Sequence, residues 1–202
     1  MGKWDEYNME NTWVLPDGYQ PIQTIDLQKN RKTAILVNLF SVLIAAAMIV
    51  PALFAVPFNL FHLEDGRMAV YFARLIVLIA ALLAYLVLHE LVHGVFIWFF
   101  SGRMARFGFT GLYAYAGSEA YFKKSSYLII ALAPIVVWGA VLLLLNFLVP
   151  PDWFWVIYLL QAMNVSGAAG DLYVAVLFAR LPKNILVQDS GVAMTVYAPK
   201  SR

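Results

Sequence analysis

Hydrophobic and polar residues fall into long separate blocks along this chain. The first 32 residues are mixed, with charges from Lys3 to Lys32 and a turn signal at Pro16-Asp17-Gly18, and they lack the form of a signal peptide. An apolar run follows from about Thr33 to Phe58, with Pro51 and Pro57 as points where a helix would bend or end. A polar connection holding His62, Glu64, Asp65 and Arg67 leads to a second run, about Met68 to Phe100, and a third extends from about Tyr127 to Val149. After Pro150-Pro151-Asp152, a fourth runs from Trp153 to about Phe178. Each run reaches or exceeds the roughly 20 apolar residues that a helix needs to cross a hydrocarbon core about 30 Å thick. The pattern predicts an all-α integral membrane protein with four transmembrane helices, over about 33–58, 68–100, 127–149 and 153–178. It divides the chain into an N-terminal segment (1–32), a four-span core (33–182) and a tail (183–202).

Two stretches break the helical pattern. Residues 107–122 are rich in glycine and aromatics and predict a short β-hairpin or a re-entrant loop. In the tail, Ile185-Leu186-Val187, then Asp189-Ser190-Gly191, then Val196-Tyr197 read as strand, turn and strand. Interfacial capping structure, with Tyr and Phe as belt residues, is the plainer account of both.

Composition strengthens the membrane reading, since 62% of the 202 residues are hydrophobic and 13% are charged, against about 25% charged in an average soluble domain. The formal charge of +2 gives no footprint for nucleic acid; the lipid bilayer is the expected environment. Basic residues cluster beside the spans. Four precede span one, Arg103, Arg106, Lys123 and Lys124 separate spans two and three, and Arg180, Lys183, Lys200 and Arg202 follow span four. The opposite loops hold only Arg67. This bias predicts a multi-pass cell-membrane protein with both termini and the middle loop cytoplasmic. With no cysteine, any metal site must use nitrogen and oxygen ligands.

Ionisable groups inside spans are costly and mark functional sites. Apart from Arg74 near the outer end of span two, they are His89, Glu90 and His93 in span two and Asp171 in span four. His89 and His93, four residues apart, share a helix face and can direct two imidazoles at one ion, with Glu90 beside them. Catalytic zinc takes three protein ligands and leaves a position for water. Asp171 is the natural third ligand, because it and His93 both lie roughly 12–14 Å inside the cytoplasmic boundary at 1.5 Å per helical residue. Glu90 is then the general base. A polar contact between helices without metal is the bland alternative.

Asn164 lies seven residues before Asp171, on nearly the same face. It has two readings of equal weight: an amide offered to a substrate near the metal, or a hydrogen bond between helices. Gly167, Ala168, Gly170 and Gly94 read first as small residues that let helices approach closely. His62 reads as an ordinary interfacial residue.

The run His89-Glu-Leu-Val-His93-Gly94, with an Asn-to-Asp segment in a later span, resembles the site-2 protease group, and within it a compact bacterial family of zincin peptidases. The similarity covers spans two to four, including the loop after the histidines and Ala133-Pro134. The later motif departs from the usual one, which places proline after the Asn and glycine after the Asp; here Gly170 precedes Asp171 and Leu172 follows it. The resemblance implies an intramembrane zinc metalloprotease acting on membrane proteins or peptides near the cytoplasmic face. It also implies that residues 107–122 supply a strand edge on which substrate is held extended. The alternatives are a membrane metal sensor or transporter and an inactive protease-like adaptor. A transporter would need stepping-stones, and no second His/Asp/Glu cluster occurs along the spans. An intact Glu90 speaks against the adaptor.

Overall fold

The computed structural model describes residues 10–26, 29–60, 68–111 and 113–200; His62 and the rest of the 61–67 connection, with Arg67, lie outside them. Helix α1 (Arg31–Ala55) starts on Asn30, whose side chain accepts from the Thr33 amide at 3.2 Å. It runs through Pro51 and stops before Pro57, where Val56 is extended, as the residue ahead of a proline prefers. Helix α2 (Met68–Ser101) has 34 residues, about 50 Å at 1.5 Å each. Helix α3 (Lys124–Leu148) contains Pro134. A 3-10 turn at Pro151–Trp153 then leads into α4 (Phe154–Gly167) and α5 (Ala169–Ala179).

The expected fourth span is thus two helices, bent by 41° at Ala168. Gly167 and Gly170 flank the break, and glycine weakens a helix interior. The Ser166 carbonyl beside it accepts from the Ser41 hydroxyl of α1 at 2.7 Å. By length and composition α1, α2 and α3 are each able to cross a membrane, and the bent pair makes a fourth such element. Large apolar side chains cover their outer faces, with Phe54 88% and Phe147 80% exposed.

The loop after α2 forms the hairpin β2 (Arg106–Phe109) and β3 (Ala114–Gly117), followed by β4 (Tyr121–Lys123). The tail supplies β5 (Leu186–Asp189) and β6 (Ala193–Pro199). A strand not expected from the sequence, β1 (Tyr19–Asp26), completes a four-stranded antiparallel sheet in the order β1-β6-β5-β4. Pro21 lies in β1, and the register against β6 shifts between Pro21 and Gln23. Segments from the N-terminal region, the middle loop and the tail therefore share one sheet, which requires them to lie on one side of the helices.

The N-terminal segment also caps α2. Asn11 Nδ2 donates to the Phe100 carbonyl at 3.1 Å and Trp13 Nε1 to the Ser101 carbonyl at 3.0 Å, satisfying acceptors that a helix end leaves open. One core, around Phe122, Phe178, Ile185 and Val196, joins sheet to helices; another, around Trp155, Tyr85, Leu142 and Leu160, lies among the helices.

The tail turn docks tightly on β3. The Ser118 amide donates to the Asp189 carbonyl at 2.6 Å, and a Cβ at Gly117 would lie 2.3 Å from the Ser190 carbonyl carbon. Backbone cannot yield as a side-chain tip does, so Gly117→Ala is expected to cost about 1–3 kcal/mol. Thermal unfolding should show a lower midpoint; an unchanged midpoint would contradict the docked turn.

Candidate metal centre

On α2, Tyr85, His89 and His93 recur every fourth residue, so all three side chains leave one face. That face meets the α4–α5 break. Asp171 sits in the first turn of α5, where the helix dipole favours a carboxylate. His89 Nε2 lies 3.2 Å from Asp171 Oδ2 and His93 Nε2 lies 3.6 Å from Oδ1. One donor atom from each of His89, His93 and Asp171 falls within 4.8 Å of the other two. The pairing across two helices expected from depth is therefore present in the geometry.

This donor set fits zinc. Ligand atoms about 2.0–2.1 Å from a tetrahedral ion stand about 3.3 Å apart, and each imidazole nitrogen stands near that distance from one Asp171 oxygen, His89 from Oδ2 and His93 from Oδ1. Two nitrogens and one oxygen are a common catalytic zinc set.

The outer nitrogens of both imidazoles are engaged. His93 Nδ1 lies 2.9 Å from the Ile130 carbonyl, to which it donates. His89 Nδ1 lies 2.9 Å from the Tyr85 hydroxyl, which in turn donates to Asn164 Oδ1 at 2.8 Å. Asn164 Nδ2 donates to the Ile135 carbonyl at 3.2 Å, which orients the amide. The single Tyr85 proton is thereby committed to Asn164, so the hydroxyl oxygen accepts from His89 Nδ1–H. Both rings are left with Nε2 facing Asp171.

Asn164 is 0% exposed and does not line the cavity beside the centre. Of its two expected readings, the structure displays the contact between helices. Glu90 does line that cavity, as does Ala116 of β3. Gly94 acts as a packing residue: a Cβ there would lie 2.3 Å from the Phe107 ring.

The cavity measures about 540 Å³. It extends from the metal centre past Ala114, Tyr115 and Ala116 of β3 to the tail turn on one side, and toward Val37, Leu83, Leu86 and Val87 on the other. Asp189 belongs to its wall, a residue read from sequence only as part of a turn. Its Oδ2 accepts from the Tyr127 hydroxyl at 2.6 Å and its Oδ1 from the Gly191 amide at 2.8 Å. Burial pushes the Asp189 carboxyl up from its ordinary value, although both hydrogen bonds favour the ionised form. Nothing in the sequence sets Tyr85 apart from other residues of its apolar run, and no sequence signal joins Tyr127 to Asp189.

A family model described as "Putative zincin peptidase" matches residues 82–186, a stretch that holds Tyr85, His89, Glu90, His93, Asn164 and Asp171. No curated protein and no solved structure matches the chain.

Proposed function

We propose, from the premise that this chain belongs to the zincin peptidase family whose model spans residues 82–186, that it is an intramembrane zinc metallopeptidase. The observation that carries the reading is the convergence of His89, His93 and Asp171 within 4.8 Å beside Glu90 in an apolar cavity. The family implies zinc, and His89, His93 and Asp171 would hold it. Zinc, when bound, supplies a Lewis acid that polarises the scissile carbonyl and lowers the pKa of water toward ~7. Glu90 takes the proton from the attacking water and afterwards delivers a proton to the departing amine.

β3 pairs with β2 along one side and lines the cavity along Ala114–Ala116. A substrate segment laid against it would be extended, with its carbonyls open to attack, by β-augmentation. The apolar arm of the cavity toward Val37 and Leu86 suits a segment arriving from lipid, and the apolar helix faces suit a bilayer around four spans. The charge bias of the loops supports a reading in which the sheet, both termini and the nearby metal centre face the cytoplasm.

In proteoliposomes, the protein is expected to cleave a membrane-anchored peptide, to lose at least ~90% of that activity on treatment with a chelator, and to regain it with about one zinc per chain. Cleavage that survives complete zinc removal would overturn the reading. Stoichiometric zinc without cleavage of any embedded peptide would favour the sensor or adaptor.

A further inference from the structure

The two histidines are held from behind by groups that zinc binding does not itself require. A proline inside a helix has no amide hydrogen for the carbonyl four residues earlier. In α3 that proline is Pro134, fully buried, and the carbonyl it releases belongs to Ile130, the one that accepts from His93 Nδ1. One turn along, the Ile135 carbonyl fixes Asn164, Asn164 fixes the Tyr85 hydroxyl, and Tyr85 fixes His89. Both chains end on backbone carbonyls of α3, at Ile130 and Ile135.

We propose that Pro134, Tyr85 and Asn164 are positioning residues that hold His89 and His93 with Nδ1 protonated and Nε2 presented to zinc, making α3 the outer support of the metal centre. The inference rests on the metallopeptidase reading and adds an assignment for three residues outside the ligand set. Partners that fix the tautomer and angle of a ligating histidine change metal affinity by about 10–100-fold when removed. Tyr85→Phe keeps the ring and deletes the link to both neighbours. Pro134→Ala keeps a small apolar side chain and restores an amide that draws the Ile130 carbonyl back toward the helix axis.

The test measures zinc affinity by chelator competition on the full chain in nanodiscs, alongside the melting temperature of each zinc-free protein. Tyr85→Phe and Pro134→Ala are each expected to weaken zinc binding about 10–100-fold. The zinc-free Pro134→Ala protein should melt no lower than wild type, since alanine favours the helix. Asn164→Leu should weaken zinc binding in the wild-type background and change it less than about twofold when Tyr85 is already Phe, because the two act through one chain of bonds. Unchanged affinity in both Tyr85→Phe and Pro134→Ala overturns the positioning role, as does a loss of affinity that appears only with a collapse in melting temperature. A wild-type protein that takes up no zinc overturns the metallopeptidase reading itself, so the two failures are distinguishable.

Discussion

Asp171→Ala is expected to lower zinc affinity by more than about 10²-fold, beyond the 10–100-fold typical of losing an outer partner, and to leave the purified protein nearly metal-free. Two imidazoles on one helix face define only an edge of the coordination tetrahedron. The carboxylate supplies the third corner and the negative charge that offsets a divalent ion in an apolar setting. Its two oxygens stand 3.2 and 3.6 Å from the imidazole nitrogens, and Asp171 alone brings a carboxylate from the opposing helix into that cluster among the described residues. Metal analysis after purification in trace zinc checks the expectation; full occupancy in the alanine variant would remove Asp171 from the ligand set.

Glu90→Gln should act on the other half of the site. Glutamine preserves the shape of the side chain but cannot accept a proton from water. General base catalysis contributes about 10²–10⁴-fold, so hydrolysis should fall by at least that factor while zinc content stays near wild type. Among the described residues Glu90 is not one of the clustered donors, which is why metal retention and activity are expected to part company.

Much of this arrangement was readable from the chain itself, for physical reasons. Long uninterrupted apolar runs favour helix, so the expected helical runs match α1, α2 and α3 within a few residues at each end. Charged and imidazole side chains stand out in such a background, and the depth of His93 and Asp171 led to a pairing now visible as direct contacts. The hairpins at 106–117 and 186–199 had turn residues between β-rich segments.

The remainder depended on partners distant in sequence. β1 holds Pro21 and little alternation, and it becomes a strand because β6, some 170 residues later, offers an edge. The α4–α5 bend has no proline to announce it; Gly167 and Gly170 permit it, and packing against α1 and α3 sets it. Tyr85 and Pro134 look like ordinary span residues until the Asn164 amide and the Ile130 carbonyl show what they touch.

Side-by-side reconstitution of wild type and Glu90→Gln with one membrane-embedded substrate tests the central claim most directly, with cleavage followed by mass spectrometry and zinc counted per chain in the same samples. The prediction is one zinc per chain in both and cleavage in wild type alone. Equal cleavage by the two proteins, or a wild type without zinc, would contradict it.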